Sequence, residues 1–377
     1  MNMSVARAVN VDEVRELARR RLPRPVFDLV EGGAEDEITM RGNLDAFRRH
    51  RLLPRAFADV ASRDSGTTVL GTKLRAPILL APTGAARVLH RDAELAVARA
   101  ARASGLGYVH GTVSGHTPEQ VAAVDPFWFQ LYASGDRPRL LETLKRIADV
   151  GFRALVVTVD VPVFGNRERD RRNRLTIPLS FSPVAILRCA TRPRWTAEFI
   201  RGNLPQRAQP DGRVSPFGTQ RQILSSLYPV TADDLAFIRD HWQGPLLVKG
   251  ILHPADCETA IERGANGIIV SNHGGRQLDR APAALDALPV IVSAAAGRAE
   301  VLLDGGVRRG TDILTALALG ARAVLVGRPY LYGLAAGGQE GVERVLEILV
   351  TEFDRAMALT GFASTEQIDG TCLMPVQ

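Results

Sequence analysis

Eight short apolar runs, rich in Val, Ile, Leu and aromatic residues, punctuate the chain at residues 78–83, 107–113, 127–132, 154–160, 245–250, 267–272, 300–305 and 323–327. A continuous run of this length reads as a strand buried on both faces, which is the mark of a parallel sheet. Between the runs apolar positions return at helical spacing, as in Asp92 to Ser104 and Arg309 to Gly320, where a serine or glycine closes the element. Eight strand-then-helix units predict an α/β chain folded as a (β/α)8 TIM barrel, with an open doubly wound sheet as the alternative. Around the barrel (78–328) the pattern predicts a helical cap over 11–60, with Val11, Val14 and Leu17 on one face, and a closing helix over 340–360. Residues 161–230 exceed an ordinary barrel loop and mix proline, arginine and aromatics. They predict a lid or a membrane-facing insertion in a chain read as one domain, 1–377.

In this fold chemistry sits at the C-terminal ends of the strands. Reading off those ends gives Thr83, Gln130, Tyr132, Thr158, Asp160, Lys249, Ser271 to Arg276, Asp304 to Arg308, and Gly327 with Arg328. Polar and ionisable groups gathered at one rim of an apolar barrel are costly unless they are used.

The stretch Val270-Ser271-Asn272-His273-Gly274-Gly275-Arg276-Gln277-Leu278-Asp279 concentrates that chemistry. Its glycines allow close approach to the backbone and a sharp turn. His273 supplies a base near neutral pH, and Arg276 a planar fork that matches a carboxylate. A solvated turn after a buried strand is the plain alternative for each residue singly, and it explains the group poorly. Asp304-Gly305-Gly306-Val307-Arg308 follows the seventh run and Gly327-Arg328 the eighth, the two loops that in barrels often cradle a phosphate with backbone amides and a helix start. Two glycine turns would explain the glycines but not an arginine in both loops. Lys249, at the end of the fifth run, would then stand beside the ring of a phosphorylated cofactor and stabilise charge that develops there. A buried lysine paired with a carboxylate is the competing explanation.

Composition narrows the partners. The chain has 377 residues, 46% apolar and 23% charged, which excludes disordered and fibrous classes. A formal charge of +6 admits an anionic ligand or an acidic lipid surface, while scattered arginines without an aromatic-interleaved stripe speak against nucleic acid. Cys189, Cys257 and Cys372 form no metal-ligand or disulfide spacing, so no metal site is expected. No run is long enough to span a bilayer and Met1 to Asn10 lacks a signal-peptide core, so the expected location is cytoplasmic, with peripheral contact at the inner face of a membrane as the variant.

Ordered motifs across most of the chain point further. They comprise Leu22-Pro23, Gly32-Gly33-Ala34-Glu35-Asp36, Ala81-Pro82-Thr83-Gly84, Trp128-Phe129-Gln130-Leu131-Tyr132, Thr158-Val159-Asp160, Gly165-Asn166-Arg167-Glu168-Arg169-Asp170, Asn173-Arg174, Lys249-Gly250 and the three glycine-rich segments above. In these the chain resembles the FMN-dependent 2-hydroxy acid oxidases and dehydrogenases. The resemblance implies that His273 is the base at the substrate carbon and that Asp160 orients it and stabilises its protonated form. It implies that Arg276 and Arg167 clamp a substrate carboxylate while Tyr132 donates a hydrogen bond. FMN would be held by Pro82, Thr83, Gly84, Gln130, Thr158, Lys249 and Ser271, with its phosphate on Asp304, Gly305, Gly306, Arg308, Gly327 and Arg328. A homotetramer, and oxygen, a quinone or a soluble carrier as electron acceptor, are the matching expectations. A hydroxy acid must lose its hydroxyl proton and its α-hydrogen with two electrons, so a base, an electron sink and a carboxylate anchor are what the reaction needs.

Two positions depart from the family pattern. Leu29 follows Asp28 where the family carries a tyrosine that touches the substrate carboxylate, which points to a larger or more apolar substrate than lactate or glycolate, to a carboxylate held by the arginines alone, or to a helix out of register with the family. Gly111 stands where relatives often carry a serine near the flavin. The insertion over 175–230 mixes Phe181, Val184, Ile186, Leu187, Trp195, Phe199 and Ile200 with Arg188, Arg192, Arg194 and Arg201. Membrane contact through 175–201 is one reading, and a lid is the other, favoured because Pro183, Pro193 and Pro205 interrupt any long amphipathic helix. Rival functions are a Schiff-base or phosphate-binding barrel lyase using Lys249, and a flavin-binding maturation enzyme acting on a modified or larger substrate.

Overall fold

A computed structural model describes residues 4–84, 86–173, 191–203 and 228–374. Strands β1 (Thr67–Val69) and β2 (Thr72–Leu74) pair antiparallel around Leu70-Gly71, whose φ angles are +44° and +77°. Eight parallel strands follow: β3 (Ile78–Leu80), β4 (Gly107–Gly111), β5 (Trp128–Leu131), β6 (Ala154–Thr158), β7 (Leu246–Ile251), β8 (Gly267–Val270), β9 (Glu300–Asp304) and β10 (Ala323–Val326). Each overlaps one apolar run. Val324 of β10 pairs with Ile78 of β3, so the sheet closes into a barrel and the open-sheet alternative falls.

The apolar runs are continuous because alternate side chains enter two different cores. Leu79, Val109, Trp128, Val156, Leu247, Ile269, Leu302 and Leu325 point into the barrel. Their neighbours, among them Leu80, Tyr108, Phe129, Leu155, Val248, Ile268, Leu303 and Val324, pack outward against the helices. The hairpin β1–β2 drops Val69 and Leu74 into the inner cluster beside Phe127 and Trp128, closing the N-terminal end of the barrel. Gly107 is required there, because a Cβ would lie 2.2 Å from the Phe127 ring.

Three helices precede the barrel: α1 (Val11–Arg21), α2 (Arg24–Glu31) and α3 (Ile38–Arg49). Asn10 caps α1 by accepting from the Glu13 amide, and Asp279 caps α3 by accepting from the Ile38 and Thr39 amides. The α3 cap comes from 240 residues away, which ties the N-terminal helices to the loop after β8. The outer layer continues with α4 (Ala86–Leu89), α5 (Ala93–Ala103), α6 (Pro118–Ala122), α7 (Arg137–Val150), α8 (Glu168–Arg172), α9 (Pro193–Asn203), α10 (Ala232–His241), α11 (Pro254–Glu262), α12 (Ala284–Ala295) and α13 (Gly310–Ala318). Last comes α14 (Arg328–Thr360), broken by non-helical Gly337 and Gly338.

Much of the expected insertion, 174–190 and 204–227, lies outside the described residues, including Phe181, Val184, Ile186, Leu187 and Arg188. Its helix α9 docks on the body. Trp195 is buried, its indole donates to Val88 O at 2.9 Å, and it stacks on Phe199. Glu198 takes a two-pronged bond from Arg21, at 2.9 and 2.7 Å. Ile200 faces outward near Arg194 and Arg201. Among the described residues no helix is long and apolar enough to cross a membrane.

Candidate active site

Strand periodicity builds the site. The inward register that places Trp128, Val156, Leu247, Ile269 and Leu302 in the core places Gln130, Thr158, Lys249, Ser271 and Asp304 one step further along, at the C-terminal rim. All five are buried. They bond to one another. Gln130 Nε2 donates to Thr158 Oγ1 at 3.0 Å, and Lys249 Nζ reaches Ser271 Oγ at 2.9 Å and Asp304 Oδ2 at 2.8 Å. Ser271 Oγ donates on to Asp304 Oδ2 at 2.9 Å and accepts from the His273 amide at 3.0 Å. Burial works against a charged Lys249, but Asp304 and Asp160 outweigh it and hold the ammonium above its usual range.

Above this layer lies a cavity of about 240 Å³, many times the ~10–15 Å³ that one water needs. Pro82, Thr83, Gly84, Gln130, Lys249, Asp304, Gly305, Gly306, Arg308, Gly327 and Arg328 line it, together with His273, Tyr132, Arg167 and Arg276. Thr158 and Ser271 do not. They sit beneath its surface, where Thr158 accepts from Gln130 and Ser271 from Lys249. Asp160 also stands behind the lining, against His273.

His273, Gly274 and Gly275 have φ angles of +58°, +65° and +74°, a left-handed turn that costs a histidine more than a glycine. The turn aims the imidazole at Asp160. His273 Nδ1 lies 3.0 and 3.2 Å from the two Asp160 oxygens, which leaves Nε2 as the free ring nitrogen. Gln277 fixes Asp160 in turn, donating to Asp160 O at 3.0 Å and to Val163 O at 2.8 Å. Burial pushes His273 below its ordinary value despite the pull of Asp160, so the ring is neutral at pH 7. Asp160 stays ionised, held below the usual carboxylate range by His273 and Lys249 against the effect of burial. Tyr132 is pushed up to about 12 by burial and by Asp160, so it remains a donor.

Arg276 and Arg167 lie together, with Arg167 Nε donating to Arg276 O at 3.4 Å. Burial, then Arg167 and Arg328, press the Arg276 guanidinium well below its usual range, which describes a crowded cation suited to an anion. Leu29 lines the cavity beside them, so α2 is in the register that puts this leucine at the site. Val113 and Phe164, from the loops after β4 and β6, complete an apolar wall that the sequence reading did not pick out. Their one signal was an apolar residue standing just past a strand end, where polar residues predominate.

The loops after β9 and β10 form the far end of the cavity. The start of α13 is closed, because Asp312 Oδ2 accepts from the amides of Arg308 and Arg309 at 2.8 and 2.9 Å and Glu352 accepts from Gly310 at 2.9 Å. Arg308, Arg328, the Gly305-Gly306 backbone and the start of α14 at Gly327 reach the cavity there. Gly305 and Gly306 have φ angles of +114° and +88°, which side chains rarely adopt, so bare backbone forms this wall. Bare backbone, two cations and a buried ammonium fit a flat, phosphorylated, electron-accepting cofactor. Among the described residues no group of three His, Cys, Asp or Glu side chains is placed to hold a metal.

A closed parallel barrel with arginines and bare backbone at its rim, a carboxylate-oriented histidine and a buried ammonium suits a cofactor-dependent oxidoreductase of the flavin-binding barrel class. Comparison with known proteins agrees. The family model described as FMN-dependent dehydrogenase matches residues 18–375. An L-lactate oxidase of Nostoc sp. is 44% identical, covering 98% of this chain and 99% of its own, and an (S)-mandelate dehydrogenase of Pseudomonas putida is 42% identical over 93% and 90%. A crystal structure of the monotopic membrane protein (S)-mandelate dehydrogenase superposes with a TM-score of 0.90 at 38% identity, covering 98% of this chain and 99% of that one. The chain belongs to the FMN-dependent dehydrogenase family, and its cofactor is FMN.

Proposed function

We propose that this protein oxidises an L-2-hydroxy acid to the 2-oxo acid. The observation that carries the reading is His273, held by Asp160 at 3.0 Å through Nδ1, on the wall that also presents Arg276 and Arg167. Relatives named as L-lactate oxidase and (S)-mandelate dehydrogenase support it.

In this reading the two guanidinium groups hold the substrate carboxylate, and Tyr132 donates a hydrogen bond to the substrate. His273 Nε2 accepts the hydroxyl proton, and the Asp160 carboxylate stabilises the imidazolium that results. Bound FMN supplies the two-electron acceptor. Gln130, Lys249, Arg308 and Arg328 are the residues assigned to hold it, and Lys249, kept cationic by Asp304, offers fixed positive charge where negative charge grows. A Schiff-base lyase is disfavoured, since a nucleophilic amine must be neutral and this one is ion-paired. The wall of Leu29, Val113 and Phe164 favours a substrate whose side chain is longer than that of lactate or glycolate.

Purified protein is expected to be yellow and to bleach anaerobically with a suitable L-2-hydroxy acid. A panel running from glycolate to aromatic acids ranks the substrates, and colourless protein that cannot be reconstituted with FMN would defeat the reading. Oxygen, a quinone or a soluble carrier then reoxidises the flavin, and family likeness supports a tetramer. Peripheral membrane contact is a second reading, supported by outward Ile200 between Arg194 and Arg201 and by the monotopic relative. Co-sedimentation with anionic vesicles tests it.

A further inference from the structure

A helix leaves its last carbonyls without partners of its own. At the end of α2 two arginines take them. Arg276 Nη1 donates to Leu29 O at 3.0 Å and to Gly32 O at 2.8 Å. Arg328 Nε donates to Val30 O at 3.0 Å, its Nη2 to the same Gly32 O at 2.9 Å, and its Nη1 to Gly274 O at 2.9 Å. The arginine assigned to the substrate carboxylate and the one assigned to the cofactor phosphate thus hang from four residues of backbone and meet at one oxygen. Among the described residues neither has a carboxylate within ion-pair distance.

Between those carbonyls stands Glu31. A carboxylate on the last residue of a helix opposes the helix dipole, so its place there has to be stabilised by something else. Its oxygens accept from Arg15 of α1 at 2.7 and 3.0 Å and from the Tyr332 hydroxyl of α14 at 2.6 Å. Those bonds pin the final turn of α2 to two other helices at the point where it holds both arginines.

We propose that this turn couples the two anion positions, with Glu31 as the positioning residue that sets it. Either anion, by engaging its arginine, orders the Gly32 carbonyl and with it the second arginine, so the other anion meets a group already in place. Ordering that is completed once appears as positive cooperativity, and it is reciprocal. Direct repulsion between the two anions would have the opposite sign. The proposal rests on the functional reading above, and its test separates the two.

The measurement is FMN release on dilution of the holoenzyme, read by the fluorescence of free flavin, with and without saturating oxalate, which carries the carboxylate but no hydrogen to lose. Oxalate is expected to lower the FMN dissociation constant about fivefold or more. In Glu31→Ala that ratio should fall below about twofold, Tyr332→Phe should lie between, and Glu31→Gln, which keeps an acceptor for Arg15, should recover part of the effect. If Glu31→Ala does not fold, Tyr332→Phe carries the test. A wild-type dissociation constant that is unchanged or raised by oxalate overturns the coupling, and so does a wild-type ratio kept in both variants. Holoenzyme whose flavin spectrum oxalate leaves unperturbed would remove the functional reading, and the coupling with it.

Discussion

His273 is the residue on which the chemistry turns, and its environment sets a pH dependence. Its pKa lies below the ordinary 6.5, because burial outweighs Asp160, and only the neutral ring can accept a proton. The rate of flavin reduction should therefore be level near pH 7 and fall as pH drops through that lowered value. Asp160→Asn removes the influence that raises the pKa, so the acid limb should move to lower pH while the plateau drops about 100-fold. His273→Asn should keep its flavin and reduce it about 1,000-fold more slowly. Stopped-flow bleaching across pH checks both, and full activity in His273→Asn would end the assignment. Leu29→Tyr should shift preference toward small hydroxy acids, with kcat/KM for a bulky acid falling about tenfold relative to lactate. At this scale the sequence was legible wherever a polar residue ended an apolar run, as at Gln130, Lys249 and Asp304. The depth of Thr158 and Ser271, buried beneath Gln130 and Lys249, was not legible, because a strand end shows which face a side chain takes and no more. Val113 and Phe164 escaped because loop conformation, not periodicity, turns them inward.

The elements were read from their spacing, and the eight barrel strands came through because double-sided burial leaves an unmistakable apolar run. The hairpin β1–β2 did not. Its strands are three residues long and its turn is Leu70-Gly71 rather than an Asn-Gly signal, so neither alternation nor turn chemistry announces it. Tertiary closeness between elements was likewise hidden. α3 approaches the loop after β9 so nearly that a Cβ on Gly306 would lie 2.2 Å from Asn43 O, at a φ of +88° that already disfavours any side chain. Gly306→Ala should therefore push α3 away from the rim, lowering stability by about 2 kcal/mol or more and loosening FMN. Urea unfolding and flavin retention on gel filtration read the two effects, and unchanged values would show that the α3 contact is dispensable.

Across the whole molecule the outer core carries an acid sensitivity of its own. His110 faces away from the barrel interior, stacked on Phe152 and edge-on to Phe129, with Nδ1 buried and unpartnered among the described residues. Burial lowers its pKa from 6.5 to about 4, against the pull of Glu94. Between those values the unfolded chain binds the proton and the folded chain does not, so this contribution to stability is present above pH 6.5 and disappears as pH falls toward 4. The unfolding free energy should drop by about 2 kcal/mol between pH 7 and pH 5 from this group. His110→Phe should flatten that slope in urea titrations at the two pH values, and an identical slope would place the sensitivity elsewhere.

Because Val69 and Leu74 stopper the lower end of the barrel, the molecule is a cup and not a pipe. Everything that enters from above must leave the way it came.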